Sequence, residues 1–336
     1  MVNSELLRTY ALMGGTLALL AGACGDDSAG IDAGVTADAR VNDAAPPADA
    51  GRFAAMHSVF FTGPGDNIDG EDEIRVACDD AAGGPSAHTP CDVGAGSFTF
   101  EMWIKGDAAM NTNTSGNGPG SERAAYDWID GNIFIDRDAY GGSCDGRDFG
   151  ASIINGRVSF GIGVEEGSGP LTIDGNAAVV ESPAVWRHVA LVYDDGPNQL
   201  RIYVDGALDM TSTQTLIDAD RSIPEDGCTQ GSASSAARQV DLVFGGEKHG
   251  FDDISFEGRI GTIRIWESAR TDAEIAATWN TPIPCSASGL VARYDLEEGS
   301  GMIAGDTCRV SPAATIDLGT RNRTYWSGDG PPVNLQ

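Results

Sequence analysis

From residue 57 onward the chain alternates apolar and polar positions with a period of two, which places alternate side chains on opposite faces of a strand. Ser97–Lys105 (SFTFEMWIK) is the clearest such run, and Ile133–Ile135 is a shorter one. Gly150–Ile154 and Arg157–Ile162 flank Asn155-Gly156, a pair that accepts the positive φ angles of a type I′ turn, so they are expected as a hairpin. Trp186–Tyr193 and Leu200–Val204 form a second pair, joined by Asp194-Asp195-Gly196-Pro197-Asn198. Val240–Phe244, Arg259–Trp266 and Gly289–Leu296 continue the series. Thr271-Asp272-Ala273-Glu274 has the spacing of a capping box, with Ile275, Ala276 and Trp279 as one short apolar face. One short helix is therefore expected near 272–279. About a dozen short strands with a single helix predict an all-β, two-sheet antiparallel sandwich.

The first 51 residues follow a different pattern. Ala11–Ala23 is an apolar run preceded by Arg8 and closed by the small residues Ala21-Gly22-Ala23. It is too short for a bilayer span of ~20 residues and reads as a signal peptide over 1–23. Leu20-Ala21-Gly22-Ala23-Cys24 resembles the lipobox of bacterial lipoproteins, with Ala21 where that family favours Leu. The resemblance implies a lipid on Cys24, while ordinary signal peptidase would also accept the three small residues. Residues 25–51 hold Ala, Asp, Gly and Pro with almost nothing to bury, and are expected to form a disordered acidic linker. Fully stretched, at roughly 3.3 Å per residue, the linker reaches at most ~90 Å. The expected organisation is a signal peptide at 1–23, the lipidated Cys and linker at 24–51, and one sandwich domain at 52–336 with a C-terminal strand extension at 285–330. An exported lipoprotein of a bacterial outer membrane or cell surface follows, with periplasmic or secreted placement as the alternative.

The seven cysteines fit an oxidising compartment. Setting Cys24 aside leaves Cys78, Cys91, Cys144, Cys228, Cys285 and Cys308, an even set with 15 connectivities. The expected pairing is Cys78–Cys91, Cys144–Cys228 and Cys285–Cys308, because the first and last pairs close short loops. No pair has the C-x₂-C spacing of a zinc site.

Charge removes one class of partner. With 21 Lys and Arg against 50 Asp and Glu, the formal charge of −29 leaves no basic surface for nucleic acid. The same acidity suits either clustered Ca²⁺ ligands or plain solvation of a secreted protein.

Several segments together resemble LamG-like jelly-roll domains of the laminin G, pentraxin and concanavalin A-like lectin/glucanase superfamily. They are SFTFEMWIK at 97–105, WRHVALVYDD at 186–195, LRIYVDGAL at 200–208, FEGRIGTIRIWESARTDAEIAATW at 256–279 and GLVARYDLEEGSGMIAGDTC at 289–308. They run in family order across roughly 57–330. The resemblance implies a concanavalin A-like jelly roll and leaves function open, because the fold hosts lectins, adhesion modules and glycosidases.

The glucanases of this superfamily carry Glu-x-Asp-x-Glu or Glu-x-Asp-x-x-Glu on one strand, aiming two carboxyl groups at one sugar bond. This chain has no such run: Glu101 is followed two places on by Trp103, and Glu71-Asp72-Glu73 does not alternate. There is no G-x-S-x-G elbow, and His57, His88, His188 and His249 lack metal spacing. His188 is expected as a structural histidine. No enzyme is therefore expected. The resemblance to pentraxins implies a possible Ca²⁺ set of Asp130, Asn132, Glu247, Asp252 and Asp253, although Lys248 and His249 replace residues that would ligate. Asp66, Asp69, Glu71 and Asp72 form another acidic group, expected to be solvated. Gly-, Ser- and Asp-rich loops at 106–125, 136–148 and 209–239 suit recognition, with Tyr126, Trp128 and Tyr140 as candidate sugar-stacking rings and core packing as the competing role of Trp128. The expected function is a surface-tethered, non-catalytic binding or adhesion module for carbohydrate or extracellular protein. A divergent glycoside hydrolase or lyase and a structural envelope lipoprotein are the alternatives.

Overall fold

The alternation at Phe98–Gly106 sends Phe98, Phe100, Met102 and Ile104 to one face, and all four are buried in a single large apolar cluster. Thr99, Glu101 and Trp103 go to the other face and are buried as well, so this strand is covered on both sides. That is the organising fact of the computed structural model. It describes residues 53–54, 57–62, 73–76, 93, 96–114, 118–123, 127–137, 149–163, 171–213, 242–246, 255–308, 315–317 and 326–333. These fall within one compact unit, Ala45–Gln336. The expected signal peptide, Cys24 and the acidic linker lie outside the described residues.

The strands in chain order begin with β1 (Phe53–Ala54), β2 (Ser58–Thr62), β3 (Ile74–Val76), β4 (Phe98–Gly106) and β5 (Glu122–Arg123). A 3₁₀ turn at Asp127–Asp130 leads into β6 (Asn132–Arg137). Then come β7 (Phe149–Ile154), β8 (Arg157–Ile162), β9 (Leu171–Ala178), β10 (Arg187–Asp194), β11 (Gln199–Val204) and β12 (Ala207–Thr211). β13 (Leu242–Phe244) and β14 (Glu257–Trp266) precede the helix α1 (Asp272–Thr278). The chain ends with β15 (Leu290–Tyr294), β16 (Ile303–Gly305), β17 (Thr315–Asp317), β18 (Trp326–Ser327) and β19 (Pro332–Val333).

Two antiparallel sheets result. One has the order β12-β11-β10-β4-β14-β2-β18 with β15 added on β14, and the other β16-β17-β3-β13-β6-β7-β8-β9-β5. β1 and β19 pair separately. The core lies where the sheets face each other, and Phe149 of β7 packs on Phe98 and Phe100 of β4 with ring centroids 4.7 and 5.5 Å apart. Each fully buried ring of this kind stabilises the fold by about 1.5–3 kcal/mol.

Local signals set the turns. Asn155 and Gly156 take φ of 52° and 73° between β7 and β8, as the hairpin requires. Helix α1 starts on the capping box: Thr271 Oγ1 accepts the Glu274 N–H, and the Glu274 carboxylate accepts the Thr271 N–H at 2.8 Å. β9 is a strand that the alternation does not announce, since Asp174-Gly175 reads as a turn. It stays extended because Arg123 takes up Asp174 and because Gly175 leaves room for Asp209, whose Oδ2 lies 2.5 Å from where a Cβ would stand. The loop expected at 106–125 contains β5, and β12 runs to Thr211 at the start of the one expected at 209–239, of which 214–239 lie outside the described residues.

Candidate binding site

A cleft of about 440 Å³ opens beside the ends of β9, β10, β11 and β12. Ala177, Ala178, Val204 and Leu208 give it apolar walls, and Glu181, Arg187, Asp205 and Asp209 give it charge. Leu208 is 48% exposed, so an apolar face is presented to solvent. The turn between β11 and β12 shapes one wall: Asp205 and Gly206 have φ of 49° and 79°. Gly206 is required there, because a Cβ would stand 2.3 Å from Trp279 Cδ1.

The charged residues are held in place. Arg187 Nη1 donates to Asp205 Oδ2 at 2.8 Å and its Nη2 donates to Glu181 Oε1. Those two hydrogen-bonded carboxylates hold the Arg187 guanidinium protonated above its ordinary range. Asp205 Oδ1 also accepts the His188 N–H at 2.9 Å. Asp209 accepts the backbone N–H groups of Asn176 and Ala177 at 2.7 and 3.0 Å, fastening β12 to β9 across the edge of the sandwich. Carboxylates and a guanidinium beside an apolar wall suit a polyhydroxylated ligand, whose hydroxyls need paired acceptors and donors and whose C–H face needs apolar contact.

Behind this cleft lies a second polar group, fully enclosed beneath α1. Glu101 is 0% exposed and accepts from Arg264 at 3.2 Å and from Arg270. Burial raises its carboxyl, but His188, Arg264 and Arg270 outweigh that and draw it down to about 2. His188 Nε2 stands 3.5 Å from Glu101 Oε2, and burial pushes the imidazole below its ordinary range against the pull of Glu101. Trp103 and Trp279 pack edge-on and tilted against the same imidazole, at 5.5 and 6.1 Å. Arg270 lies 4.1 Å from the Trp266 ring centroid, a cation–π contact. His188 therefore has the structural placement expected of it, and Glu101 is closed to any substrate.

Trp128 is not a sugar platform. It is 1% exposed, and its ring fills the space beside the facing glycines Gly150 and Gly161 of β7 and β8, where a Cβ would lie 2.2 and 2.0 Å from ring atoms. Two adjacent positions without side chains create a slot on the sheet, and an indole occupies it. Tyr126 and Tyr140 lie outside the described residues.

The candidate Ca²⁺ set is described only in part. Asn132 is buried, its Oδ1 accepts the Asn113 N–H at 3.3 Å and its Nδ2 donates to the Ser255 carbonyl at 3.1 Å. That amide joins three segments of chain and does not fit a cation ligand. Asp130 is exposed at the end of the 3₁₀ turn, and partial loss of solvent around its carboxyl together with the neighbouring Asp127 raises it above its ordinary value. Glu247, Asp252 and Asp253, like the group at Asp66, Asp69, Glu71 and Asp72, lie outside the described residues. Among the described residues no three His, Cys, Asp or Glu side chains gather closely enough to hold a metal.

Cys285 and Cys308 form a disulfide with Cα atoms 5.1 Å apart, as paired from the sequence. Cys78, Cys91, Cys144 and Cys228 lie outside the described residues. The cleft residues Glu181, Arg187, Asp205 and Asp209 were not singled out by sequence reasoning. Asp205 and Gly206 enter the sequence reading only within the family-like segment 200–208, and nothing local announces that Arg187 reaches both Glu181 and Asp205.

Comparison with known proteins bears on the fold. The model of a family in the concanavalin A-like lectin/glucanases superfamily matches residues 80–276. No curated protein matches. Among solved structures, a Bacteroides ovatus protein described as carbohydrate-binding is similar at 14% identity and TM-score 0.49, over 84% of this chain and 63% of that one. The chain thus spans less than two thirds of that protein. A Ruminococcus gnavus IT-sialidase CBM40 module is similar at 17% identity and TM-score 0.40, over 68% of this chain and 100% of that one. The heptameric SAP-like pentraxin of Limulus polyphemus is similar at 13% identity and TM-score 0.40, over 75% of this chain and 93% of that one.

Proposed function

The chain belongs to the concanavalin A-like lectin/glucanases superfamily, and on that footing we propose that it is a non-catalytic glycan-binding module, exported and tethered by a lipid on Cys24. The observation that carries this reading is the cleft in which Arg187 locks Glu181 and Asp205 beside the exposed Leu208. Fixed polar groups next to an apolar wall are what a sugar ring requires. The non-catalytic part is supported by Glu101, the one acid on the strand that resembles the family's early core strand. It is sealed between two arginines and has no access to a substrate.

A glycan array on the purified chain, with and without EGTA, tests the reading. Selective binding that weakens at least tenfold in Leu208→Ala supports it, and a chain that retains no glycan overturns it. Loss of binding in EGTA would bring Ca²⁺ back as a cofactor, through residues outside those described. Release of reducing sugar from a polysaccharide panel would replace the binding role with a glycoside hydrolase. For the tether, Cys24→Ser is expected to abolish acyl-chain labelling in cells, and labelling that persists would remove the lipid from Cys24.

A further inference from the structure

We infer that the cleft selects against anionic sugars and favours amino sugars carrying a free ammonium group, an inference that rests on the glycan-binding reading. The cleft holds three carboxylates, Glu181, Asp205 and Asp209, against one guanidinium. That guanidinium is not available to a ligand anion. Both terminal nitrogens of Arg187 already face protein carboxylates, and its Nε is buried. A uronate or sialate carboxylate entering here would meet three like charges and no open cation, at a site already desolvated in part. The side chains of Glu181, Arg187 and Asp205 are 38, 32 and 30% exposed. Like charges in such a setting repel more strongly than in bulk water. The charge of −29 on the whole chain adds a long-range field of the same sign.

An ammonium group finds the opposite conditions. Glu181 gives one oxygen to Arg187, and its Oε2 makes no hydrogen bond among the described residues. Asp205 is fixed by Arg187 and by the His188 N–H, so it is oriented before any ligand arrives. Such preorganised acceptors bind a compact three-donor cation without reordering their own side chains. Leu208 and the alanine walls remain for the C–H face of the same ring.

Calorimetric titration of the chain with three probes of equal length tests this: an oligosaccharide of glucosamine, its fully N-acetylated counterpart and an oligogalacturonate. At about 20 mM salt, where screening is weak, the free amine is expected to bind at least tenfold tighter than the acetylated form, and the uronate not to bind. The preference should shrink at about 0.5 M salt, as surface ion contacts do. Glu181→Gln is expected to remove most of the preference, lowering affinity for the free amine at least tenfold more than affinity for the acetylated probe. Equal affinity for the amine and acetylated forms would overturn charge selection while leaving glycan binding intact. Tightest binding to the uronate, or a preference that survives both Glu181→Gln and Asp205→Asn, would overturn it as well. Failure of all three probes while the array retains another glycan would overturn this inference alone, and failure on the array as well would remove the glycan reading on which it rests.

Discussion

Glu101 and Arg264 stand directly opposite each other in the β4–β14 ladder, and their side chains meet at 3.2 Å in a space closed to solvent. Arg270 comes from the segment before α1 to the other carboxylate oxygen. One carboxylate thus holds two strands and the start of the helix together. Glu101→Gln would leave two buried guanidinium groups without a counter-charge, which costs about 3–5 kcal/mol. Guanidinium chloride unfolding is expected to show a loss of that size. A change under about 1 kcal/mol would mean that the arginines find other partners.

The same cluster sets a pH response. Burial keeps His188 neutral in the folded chain, below its ordinary value of 6.5. The unfolded chain therefore takes up a proton that the folded one refuses as pH falls through 6.5, and stability drops. Glu101 sits at about 2 when folded against 4.5 otherwise, so its contribution is complete above 4.5 and is lost as pH falls toward 2. Both act in one direction. The urea midpoint is expected to fall from pH 7 to about 5.5, and again from about 5 to 3. His188→Gln should flatten the first step and spare the second. A wild-type midpoint that stays level from pH 7 to 5.5 would remove His188 from this account.

Gly161 faces Gly150 across the β7–β8 ladder with Trp128 seated on both. In Gly161→Ala the new methyl would stand 2.0 Å from Trp128 Cδ1 and 2.8 Å from Thr172 Oγ1. Overpacking of this kind costs about 1–3 kcal/mol. Trp128→Ala leaves a cavity and costs about 3–5 kcal/mol by itself. The informative quantity is the coupling between them: with the indole gone, Gly161→Ala should cost much less, the contact with Thr172 Oγ1 alone remaining. An additive pair would mean that the clash is with another neighbour.

Features specified by neighbours in sequence were legible, and those specified by distant partners were not. The alternation of Phe98–Lys105 and Arg259–Trp266, the Asn155-Gly156 turn and the Thr271–Glu274 capping box each depend on a few adjacent residues, and each occurs where expected. The strand at Leu171–Ala178 went unseen because Asp174-Gly175 carries the chemistry of a turn. Its ladders with β8 and β5, the bonds from Ser121 and Arg123 to Asp174, and the room Gly175 leaves for Asp209 all come from outside the segment. For Trp128 core packing was the stronger expectation beside sugar stacking, and two glycines more than 20 residues away supply the slot that seats it. The cleft was hidden for a similar reason, since its charges converge only when the β11–β12 turn folds Asp205 back toward Arg187.

Cys285 and Cys308 close a loop with a sequence separation of 23. In the chain-entropy account a loop of this size is worth about 3 kcal/mol, through restriction of the unfolded state. The double substitution Cys285→Ala with Cys308→Ala is therefore expected to lower the denaturant midpoint while leaving the slope near its original value. Thiol titration of the unfolded, unreduced chain should find two fewer reactive groups than after reduction for this pair alone. A double variant as stable as the parent would show that β15 and β16 hold the segment without the bond.

Asp209 connects stability to the cleft. Its carboxylate accepts the N–H groups of Asn176 and Ala177, and the Asn176 side chain returns a bond to the Asp209 carbonyl at 2.7 Å. This is how the edge of one sheet is fastened to the other, and Ala177 and Asp209 both line the cleft. Asp209→Ala leaves two backbone N–H groups without their acceptor. Asn176 is exposed and Ala177 is half-buried, so water can replace part of what is lost. The stability cost is expected near the lower end of about 1–3 kcal/mol. The effect on binding should be larger, because Leu208 and Asp205 lie on the strand and turn that Asp209 positions against β9. Glycan affinity is expected to fall at least tenfold while circular dichroism and the core unfolding transition persist. Asp209→Asn, which keeps an acceptor oxygen for one of the two N–H groups, should recover part of the affinity. Equal loss in both variants would assign Asp209 a direct charge contact with the ligand, and no loss in either would separate the β9–β12 fastening from recognition.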